Sequence, residues 1–297
     1  MYHPIKFKKI KKNKINKPIN KYIIDSCLKK TIIEFPFSTF PYLQGNNSTQ
    51  CQIKRQGNCI AMAKYLQSKL KKFKIKSVLI PASVPVKYQS PGYIHLSHCA
   101  LIIFDSENNI FLCDPAFYFN ESAWLNFNDI PERTIYSNNI HNNTSLLTTF
   151  NLKYQPNSIT FNDYQFIPGN INYINSFYNE DSNDFWNYYF IEIINPDEAI
   201  STFFINIKRF PFITIVDNNY KLIFNFKFID SDNILIKYNY NVVYEGDRRT
   251  IPMHVYELIN KFLGENWEKT YNFNIKTDEY LYYIPDAKKH KKTRKRQ

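Results

Sequence analysis

The chain has 297 residues, 44% of them hydrophobic and 17% aromatic, and a formal net charge of +12. This much apolar sequence can bury a substantial core, which excludes a disordered chain and fits one large domain or two modest ones. The charge does not indicate a basic body, because it is concentrated at the two ends. Residues 1–21 hold eight lysines and residues 288–297 hold seven Lys or Arg, without any acid; removing these fifteen from the 38 basic residues leaves 23 against 26 acidic ones.

The two basic ends are expected to be solvated, disordered tails, with nuclear targeting or weak binding of nucleic acid as the alternative. No apolar stretch of the sequence approaches the roughly 20 residues that span a bilayer, and no apolar segment follows the basic N-terminus as in a signal peptide. The sequence therefore predicts a cytoplasmic protein without a membrane partner. A nuclear location is the alternative, and only the basic tails indicate it.

The five cysteines, at positions 27, 51, 59, 99 and 113, are too few and too unevenly spaced for a disulfide framework. Reduced thiols are expected, and Cys99 and Cys113 form the one pair that cross-strand geometry would allow to bond. The sequence has neither a close Cys-x-x-Cys pair nor a His pair at ligand spacing, so no metal site is predicted. It also lacks a Walker loop, a dinucleotide glycine fingerprint and a kinase motif.

The first ordered element is predicted to be a helix that starts at Tyr22 and stops before Pro36, because its apolar residues recur at helical spacing. The segment from Gln44 to Gln52 is expected to be a loop. A second helix is predicted over Ile60 to Phe73, where apolar residues form one stripe and lysines take other faces. The stripe consists of Met62, Leu66, Leu70 and Phe73.

The segment Arg55-Gln56-Gly57-Asn58-Cys59 ends in a cysteine where this second helix begins. The unpaired N–H groups and the positive dipole end of a first helical turn favour a thiolate, so Cys59 is the candidate nucleophile. Gly57 is expected to let the backbone turn sharply ahead of the helix. Arg55 is expected to brace the loop by pairing with a carboxylate rather than to touch a substrate.

A thiolate nucleophile needs a base and a group that orients the base. His98 to Phe104 and Ile110 to Asp114 are strand-like runs joined by a polar turn, which predicts an antiparallel hairpin. In a regular hairpin, the sequence positions of two residues that face each other always add up to the same sum. If that sum is even, His98 and Asp114 lie on the same face of the sheet, either opposite each other or one diagonal step apart. Asp114 would then hold His98 in the tautomer that leaves its other nitrogen for Cys59. The same alternation puts His95 on the other face, which makes it the weaker candidate.

Ser77 to Ile80 is predicted to be a strand, and the Pro- and Gly-rich segment from Pro81 to Gly92 is expected either to shape an acceptor pocket or to be a surface connection. The C-terminal half is predicted to be a strand meander followed by a helix over Met253 to Leu263, which Gly264 stops. Its strands are expected at Tyr188 to Ile194, Thr202 to Ile207, Phe212 to Val216, Leu222 to Ile229 and Ile234 to Val243.

Polar and aromatic residues alternate irregularly between Asp114 and Asn187, so a regular pattern is missing there. The chain is therefore divided into five predicted segments. These are a basic disordered tail at 1–21, a helical and catalytic-core region at 22–122, an irregular Asn- and aromatic-rich insertion at 123–187, a C-terminal β-rich region with a helix at 188–287, and a basic disordered tail at 288–297.

The segment around the candidate nucleophile resembles the motif Arg-Gly-Gly-x-Cys of the arylamine N-acetyltransferases, a family of transglutaminase-like, papain-like thiol enzymes. Arg55, Gly57 and Cys59 match the motif, and Gln56 replaces its first glycine. Cys59 and His98 are 39 positions apart, and His98 and Asp114 are 16 apart. Both spacings are similar to those of the family.

The aspartate segment departs from that family. Asp114-Pro115-Ala116-Phe117-Tyr118 stands where the family usually has Asp-Val-Gly-Phe-Gly, whose glycines are associated with access of acetyl-coenzyme A. An Asp-Pro pair is commoner in the transglutaminase and related peptidase-like branches. The resemblance thus covers the triad more directly than the acyl donor.

The resemblance implies an α+β fold with a papain/transglutaminase-like core, in which the helix that bears the cysteine packs on an antiparallel sheet or barrel, followed by a strand-rich region and a late helix. It implies a triad of Cys59, His98 and Asp114 that passes an acyl group, from acetyl-CoA, to a small-molecule amine. The first alternative is a transglutaminase-like or peptidase-like thiol amidohydrolase. The second is a catalytically silent binding module whose basic tails hold nucleic acid or acidic partners.

Overall fold

The computed structural model describes residues 19–43, 46–83, 98–107, 109–126, 128–140, 143–155, 159–161, 164–166, 171–178, 186–191 and 211–271. Most of the predicted loop from Pro81 to Gly92, the weaker candidate His95 and the predicted strand from Thr202 to Ile207 lie outside these residues. So do both predicted tails, apart from residues 19–21.

Helices in the described residues lie near the beginning and the end of the chain. The predicted helices at Tyr22, Ile60 and Met253 are confirmed, each starting within one residue of the predicted position. None of the helices in the described part of the chain is long and apolar enough to cross a membrane. Their bounds are α1 Lys21–Glu34, α2 Phe40–Leu43, α3 Ser48–Lys54, α4 Cys59–Lys72, α5 Met253–Leu263 and α6 Trp267–Thr270.

Helix α3 begins at Ser48, within the segment from Gln44 to Gln52 that was predicted to be a loop, so that prediction is wrong for its second half. The Asn47 side chain accepts the backbone N–H groups of Thr49 and Gln50 at 3.0 and 2.9 Å. In return, Gln50 Oε1 accepts the Asn47 N–H at 2.7 Å. This capping box pairs donors that the first turn of a helix leaves unsatisfied. The polar residues that indicate a loop therefore also start a helix.

The strands form antiparallel sheets, and the predicted α+β fold class is confirmed. One sheet has eight strands in the order β5-β4-β3-β2-β11-β10-β7-β6, one has five in the order β1-β12-β13-β14-β15, and β8 pairs with β9. The bounds are β1 Phe37–Ser38, β2 Val78–Ala82, β3 His98–Phe104, β4 Asn109–Cys113, β5 Ala123–Asn126, β6 Glu132–Asn139, β7 Thr144–Gln155, β8 Ile159–Phe161, β9 Tyr164–Phe166, β10 Ile171–Tyr178, β11 Trp186–Phe190, β12 Phe212–Val216, β13 Leu222–Phe228, β14 Asn233–Tyr238 and β15 Asn241–Asp247.

The eight-stranded sheet curls until its outer strand β6 reaches the other edge. The N–H of Asn120 donates to the carbonyl of Tyr136, and the N–H of Asn138 donates to the carbonyl of Tyr118, each at 3.2 Å. Helix α4 packs on β3, and α1 packs on α4. Every residue of β3 except Phe104 is buried. Because both faces of this strand are covered, its sequence is almost continuously apolar instead of alternating.

Residues 123–187, which were expected to be an irregular insertion, contain strands β5, β6, β7 and β10 of the eight-stranded sheet. Their pattern is irregular because the sheet buries polar side chains together. The hydroxyls of Ser137 and Thr148, both buried, lie 2.9 Å apart, and buried Thr149 makes a contact of the same length with the hydroxyl of exposed Thr134. Since these hydroxyls pair with each other, burial does not require apolar residues here. The division into five segments stays a prediction.

The five-stranded sheet and helix α5 share a second apolar core, to which α5 contributes Val255 and Ile259. The predicted single strand from Ile234 to Val243 is wrong, because the chain reverses direction within it. Asn239 and Tyr240 have positive φ angles of 46° and 69° and separate β14 from β15. Two consecutive positive φ angles are typical of the tightest hairpin turns, which match the twist of the strands on either side.

Candidate active site

Cys59 is the first residue of α4, as predicted, and the residue before it fixes the start of the helix. Asn58 Oδ1 accepts the Ala61 N–H at 3.2 Å and the Tyr42 hydroxyl at 2.5 Å. The Tyr42 hydroxyl also lies 3.1 Å from Ser48 Oγ. Asn58 therefore caps the helix with a side chain that is itself held in place. Cys59 keeps 8% of its surface exposed, so its sulfur lies at the edge of the core rather than deep within it.

Arg55 makes the turn that was predicted at Gly57. Arg55 is the C-cap residue of α3, and its φ angle of 51° is in the left-handed region. The φ angle of Gly57 is not in that region. A Cβ atom at Gly57 would lie 2.5 Å from the Cβ of Ala61 and 3.1 Å from that of Cys51. Glycine is therefore required for close packing of the loop on α4. Arg55 is exposed and forms no ion pair with the described residues, so its predicted carboxylate partner is not found among them.

The register of the β3–β4 hairpin brings His98 and Asp114 together. Leu101 faces Cys113 and Phe104 faces Ile110, so facing residues have position numbers with an even sum, as predicted. His98 and Asp114 are then one diagonal step apart on one face. His98 Nε2 lies 2.5 Å from Asp114 Oδ2, and both side chains are buried.

Asp114 accepts four hydrogen bonds from the described residues. Its Oδ1 accepts the backbone N–H groups of Ala116 and Phe117, both at 3.2 Å. Its Oδ2 is shared by His98 Nε2 and by the Tyr189 hydroxyl, which donates at 2.9 Å. Each carboxylate oxygen therefore has two partners, which is close to the full acceptor capacity of an ionised carboxylate. This set of bonds fixes the direction in which the carboxylate faces the imidazole.

Tyr189 is the site residue that sequence reasoning missed. It lies on β11 opposite Ala82 of β2, and Ala82 in turn lies opposite His98 of β3. The three residues form one row across three strands, and the small alanine leaves room for the tyrosine to reach over it toward Asp114. No local signal identifies Tyr189, because its place depends on the pairing of strands that are about a hundred residues apart in the sequence.

The charges around His98 favour its protonated form. Burial alone lowers the pKa of His98, but the Asp114 carboxylate and a hydrogen bond with the Cys59 side chain outweigh burial and raise the pKa to about 10. Since Nε2 faces Asp114, Nδ1 is the ring nitrogen that remains for the sulfur. At neutral pH His98 is therefore an imidazolium that lies between the Asp114 carboxylate and the Cys59 side chain.

The Phe117 ring packs against the His98 imidazole. Asp114 caps a short 3-10 helix, Pro115–Phe117, and the Phe117 ring meets the His98 ring edge-on with 4.6 Å between their centroids. Tyr118 follows with a φ angle of 53°, a left-handed conformation that glycine adopts most easily. Tyr118 stands where the family motif has its second glycine, so the backbone form expected of a glycine persists here with a buried tyrosine.

All five cysteines are described, and all are free and buried, so Cys99 is not bonded to Cys113 in this structure. Reduced thiols stay a prediction. Among the described residues, no group of three or more His, Cys, Asp or Glu side chains could hold a metal ion. The structure thus brings together all three predicted site residues, Cys59, His98 and Asp114. Their catalytic roles stay a prediction.

Comparison with known proteins identifies the fold. No family model and no curated protein sequence matches the chain. Among solved structures, an arylamine N-acetyltransferase of Bacillus cereus, described with a Cys-His-Glu catalytic triad, is 12% identical with a TM-score of 0.52, over 84% of this chain and 92% of that one. Arylamine N-acetyltransferase C of Bacillus anthracis is 12% identical with a TM-score of 0.51, over 87% and 93% of the two chains.

The arylamine N-acetyltransferase of Mycobacterium abscessus is 10% identical with a TM-score of 0.50, over 82% of this chain and 83% of that one. These likenesses extend over most of each chain. The chain therefore has the fold of the arylamine N-acetyltransferases, and the predicted papain-like, transglutaminase-like architecture is confirmed. At such low identity the likeness establishes the fold and not the reaction.

Proposed function

We propose that this protein is a cysteine-dependent acyltransferase in which Cys59, His98 and Asp114 act as a triad. It would transfer an acyl group, acetyl in the simplest case, from a thioester such as acetyl-CoA to a small-molecule amine. The observation that supports the proposal best is the buried His98 imidazole, whose Nε2 lies 2.5 Å from the buried Asp114 carboxylate and whose pKa is raised further by the nearby Cys59 side chain at a helix N-terminus. The fold shared with the arylamine N-acetyltransferases adds support.

The first half-reaction forms an acyl-enzyme. The Cys59 thiolate attacks the carbonyl carbon of the thioester, and the carbon–sulfur bond to the donor breaks. His98, protonated at the start, gives its proton to the departing donor thiolate. Asp114 keeps the imidazole oriented and balances its charge. The products are an S-acylated Cys59, a free donor thiol and a neutral His98.

The second half-reaction transfers the acyl group to the amine. Neutral His98 takes a proton from the amine as the amine nitrogen attacks the acyl carbon, and the Cys59 sulfur leaves as a thiolate. The amide product departs, and the thiolate and the imidazolium are restored. Because the donor thiol leaves before the amine reacts, the kinetics should be ping-pong.

The test is trapping of the acyl-enzyme. The full chain is incubated with acetyl-CoA without an amine, and peptide mass spectrometry should locate one acetyl group on Cys59. Cys59→Ser should lose transfer to an arylamine or hydrazine, whereas Cys27→Ala, which removes another buried thiol from helix α1, should keep it. If Cys59→Ser retained full transfer activity, the mechanism would be wrong.

A second candidate keeps the triad and changes the acceptor. In a transglutaminase-like or peptidase-like amidohydrolase, Cys59 attacks an amide carbonyl, and water or a protein amine receives the acyl group. The Asp114-Pro115 pair favours this candidate, because Pro115 and Phe117 bound a 3-10 turn where the family motif has a glycine. Absence of stable acetylation by acetyl-CoA, together with release of ammonia from glutamine peptides, would support the amidohydrolase over the acyltransferase.

A further inference from the structure

The five-stranded sheet extends directly to the nucleophile loop, residues 55–58, which immediately precedes the candidate nucleophile. Strand β1 belongs to that sheet, since Phe37 pairs with Thr214 and Ser38 with Ile213 of β12. On its other side β1 meets the nucleophile loop: the Ser38 N–H donates to the carbonyl of Gly57 at 2.9 Å. A continuous run of backbone hydrogen bonds therefore leads from the C-terminal module, residues 211–271, to a residue two positions before Cys59.

A side-chain contact joins the same two parts of the molecule. Gln56 Nε2 donates to the Tyr271 hydroxyl at 3.1 Å, and that hydroxyl lies 3.4 Å from Gln56 Oε1. Tyr271 is well anchored, because its ring meets the Phe40 ring edge-on at 4.7 Å and is 5% exposed. Burial raises the pKa of Tyr271, which keeps its hydroxyl protonated and able to donate. Tyr271 follows α6, more than 200 positions after its partner.

Gln56 is also the residue at which this chain departs from the family motif. A glycine at that position would have no side chain to offer, whereas the glutamine amide gives the loop a fixed partner outside the catalytic half. The loop needs such support on that side, since Arg55 next to it is exposed and adopts a left-handed conformation.

We propose that Gln56 and Tyr271 form a clip that positions the nucleophile loop, so that the C-terminal module is part of the catalytic apparatus. Both are positioning residues, since they act on Cys59 through the loop. The clip deepens the proposed function and rests on it for its effect on acyl transfer. Small displacements of a reacting group cost large factors in rate, so removing one neutral hydrogen bond is expected to slow the reactions of Cys59 by about fivefold to tenfold.

The test uses the rate at which iodoacetamide alkylates Cys59 in the full chain, followed by peptide mass spectrometry across pH 6 to 9, alongside acyl transfer. Tyr271→Phe and Gln56→Met should each lower both rates, and the double variant should be no slower than either single one, because both remove the same contact. Gln56→Glu keeps an acceptor for the Tyr271 hydroxyl. Cys59 in this variant should therefore be alkylated at nearly the wild-type rate.

Tyr240→Phe is the matched control. It removes another tyrosine hydroxyl of the C-terminal module, one that accepts the Leu222 N–H at 2.9 Å on the far side of the sheet from β1. Alkylation of Tyr271→Phe at the wild-type rate, an equal loss in Tyr240→Phe, or additive losses in the double variant would each overturn the clip. If alkylation follows the expected pattern while the wild-type chain transfers no acyl group, the clip stands and the proposed function fails.

Discussion

Removing the charge of Asp114 should change how the stability of the protein depends on pH. Burial lowers the pKa of His98, but Asp114 and Cys59 together raise it from 6.5 to about 10. The effect of Asp114 is measured best in a Cys59→Ala chain, where the sulfur can no longer exchange a proton with the imidazole. The His98–Asp114 pair is then the titrating unit of the site.

In that background the folded state keeps the His98 proton at a pH where the unfolded state has lost it. The stabilising contribution is fully present below pH 6.5, and it is lost as the pH rises from there through the raised pKa of folded His98. The free energy of unfolding falls by at most about 1.4 kcal/mol for each pH unit in this window. Since the unfolded histidine is only half deprotonated at pH 6.5, we expect a loss of about 2 kcal/mol between pH 6.5 and 8.5.

Urea unfolding at pH 6.5, 7.5 and 8.5 measures this loss. Cys59→Ala is compared with two double variants that add Asp114→Asn or His98→Gln, which remove the partner of the imidazole and the imidazole itself. Groups elsewhere titrate alike in all three chains, so differences between them isolate the pair. The single variant should lose about 2 kcal/mol more than either double variant. Equal slopes in all three, or a single variant that gains stability as the pH rises, would refute the role assigned to Asp114.

Three further predictions concern residues around the triad. Tyr189→Phe removes one donor to the Asp114 carboxylate and should slow alkylation of Cys59 at pH 7 by about tenfold; an unchanged rate would contradict a role for Tyr189. Gly57→Ala should lower the free energy of unfolding, measured by urea titration, by about 1 to 3 kcal/mol, because the new Cβ would overlap that of Ala61. Adding Ala61→Gly should recover part of this loss. Asn58→Ala should cost about 1 kcal/mol by the same measurement through loss of the α4 cap, and a stability equal to wild type would exclude that cap as a support of Cys59.

The parts of the fold that sequence patterns predicted are those set by neighbours within about fifteen residues. Helices α1, α4 and α5 follow from apolar spacing and stop signals, and the even register of the β3–β4 hairpin follows from its short turn. That register is enough to place His98 beside Asp114. Cys59 was placed at a helix start by the same local pattern. The three predicted site residues thus depended on local signals alone.

The parts that were missed depend on partners distant in the sequence or on polar groups with two uses. Tyr189 reaches the site only through the pairing of β11 with β2. Tyr42 donates a hydrogen bond to Asn58, which lies beyond helix α3 in the sequence. The asparagines between Tyr42 and α3 indicate a loop, but Asn47 in fact caps that helix. In β6 and β7, buried hydroxyl pairs hide the alternation by which a strand is recognised. Only Tyr189 depends on a distant partner, 75 positions away. The other two were missed because polar residues that indicate a loop or an exposed face are paired with each other and buried.

Asp114 both starts a turn and faces His98, because its two carboxylate oxygens have different partners. Pro115 has no N–H and starts the 3-10 turn, so Oδ1 bonds the next two N–H groups and fixes the turn. The turn then carries the Phe117 ring onto one side of His98, while Oδ2 holds Nε2 from another. The turn thus orients the carboxylate, and a residue that only started the turn would leave the imidazole with the Phe117 contact but without the hydrogen bond to Oδ2. The chain thus departs from the family motif at Pro115 while the hydrogen bond between Asp114 and His98 is kept.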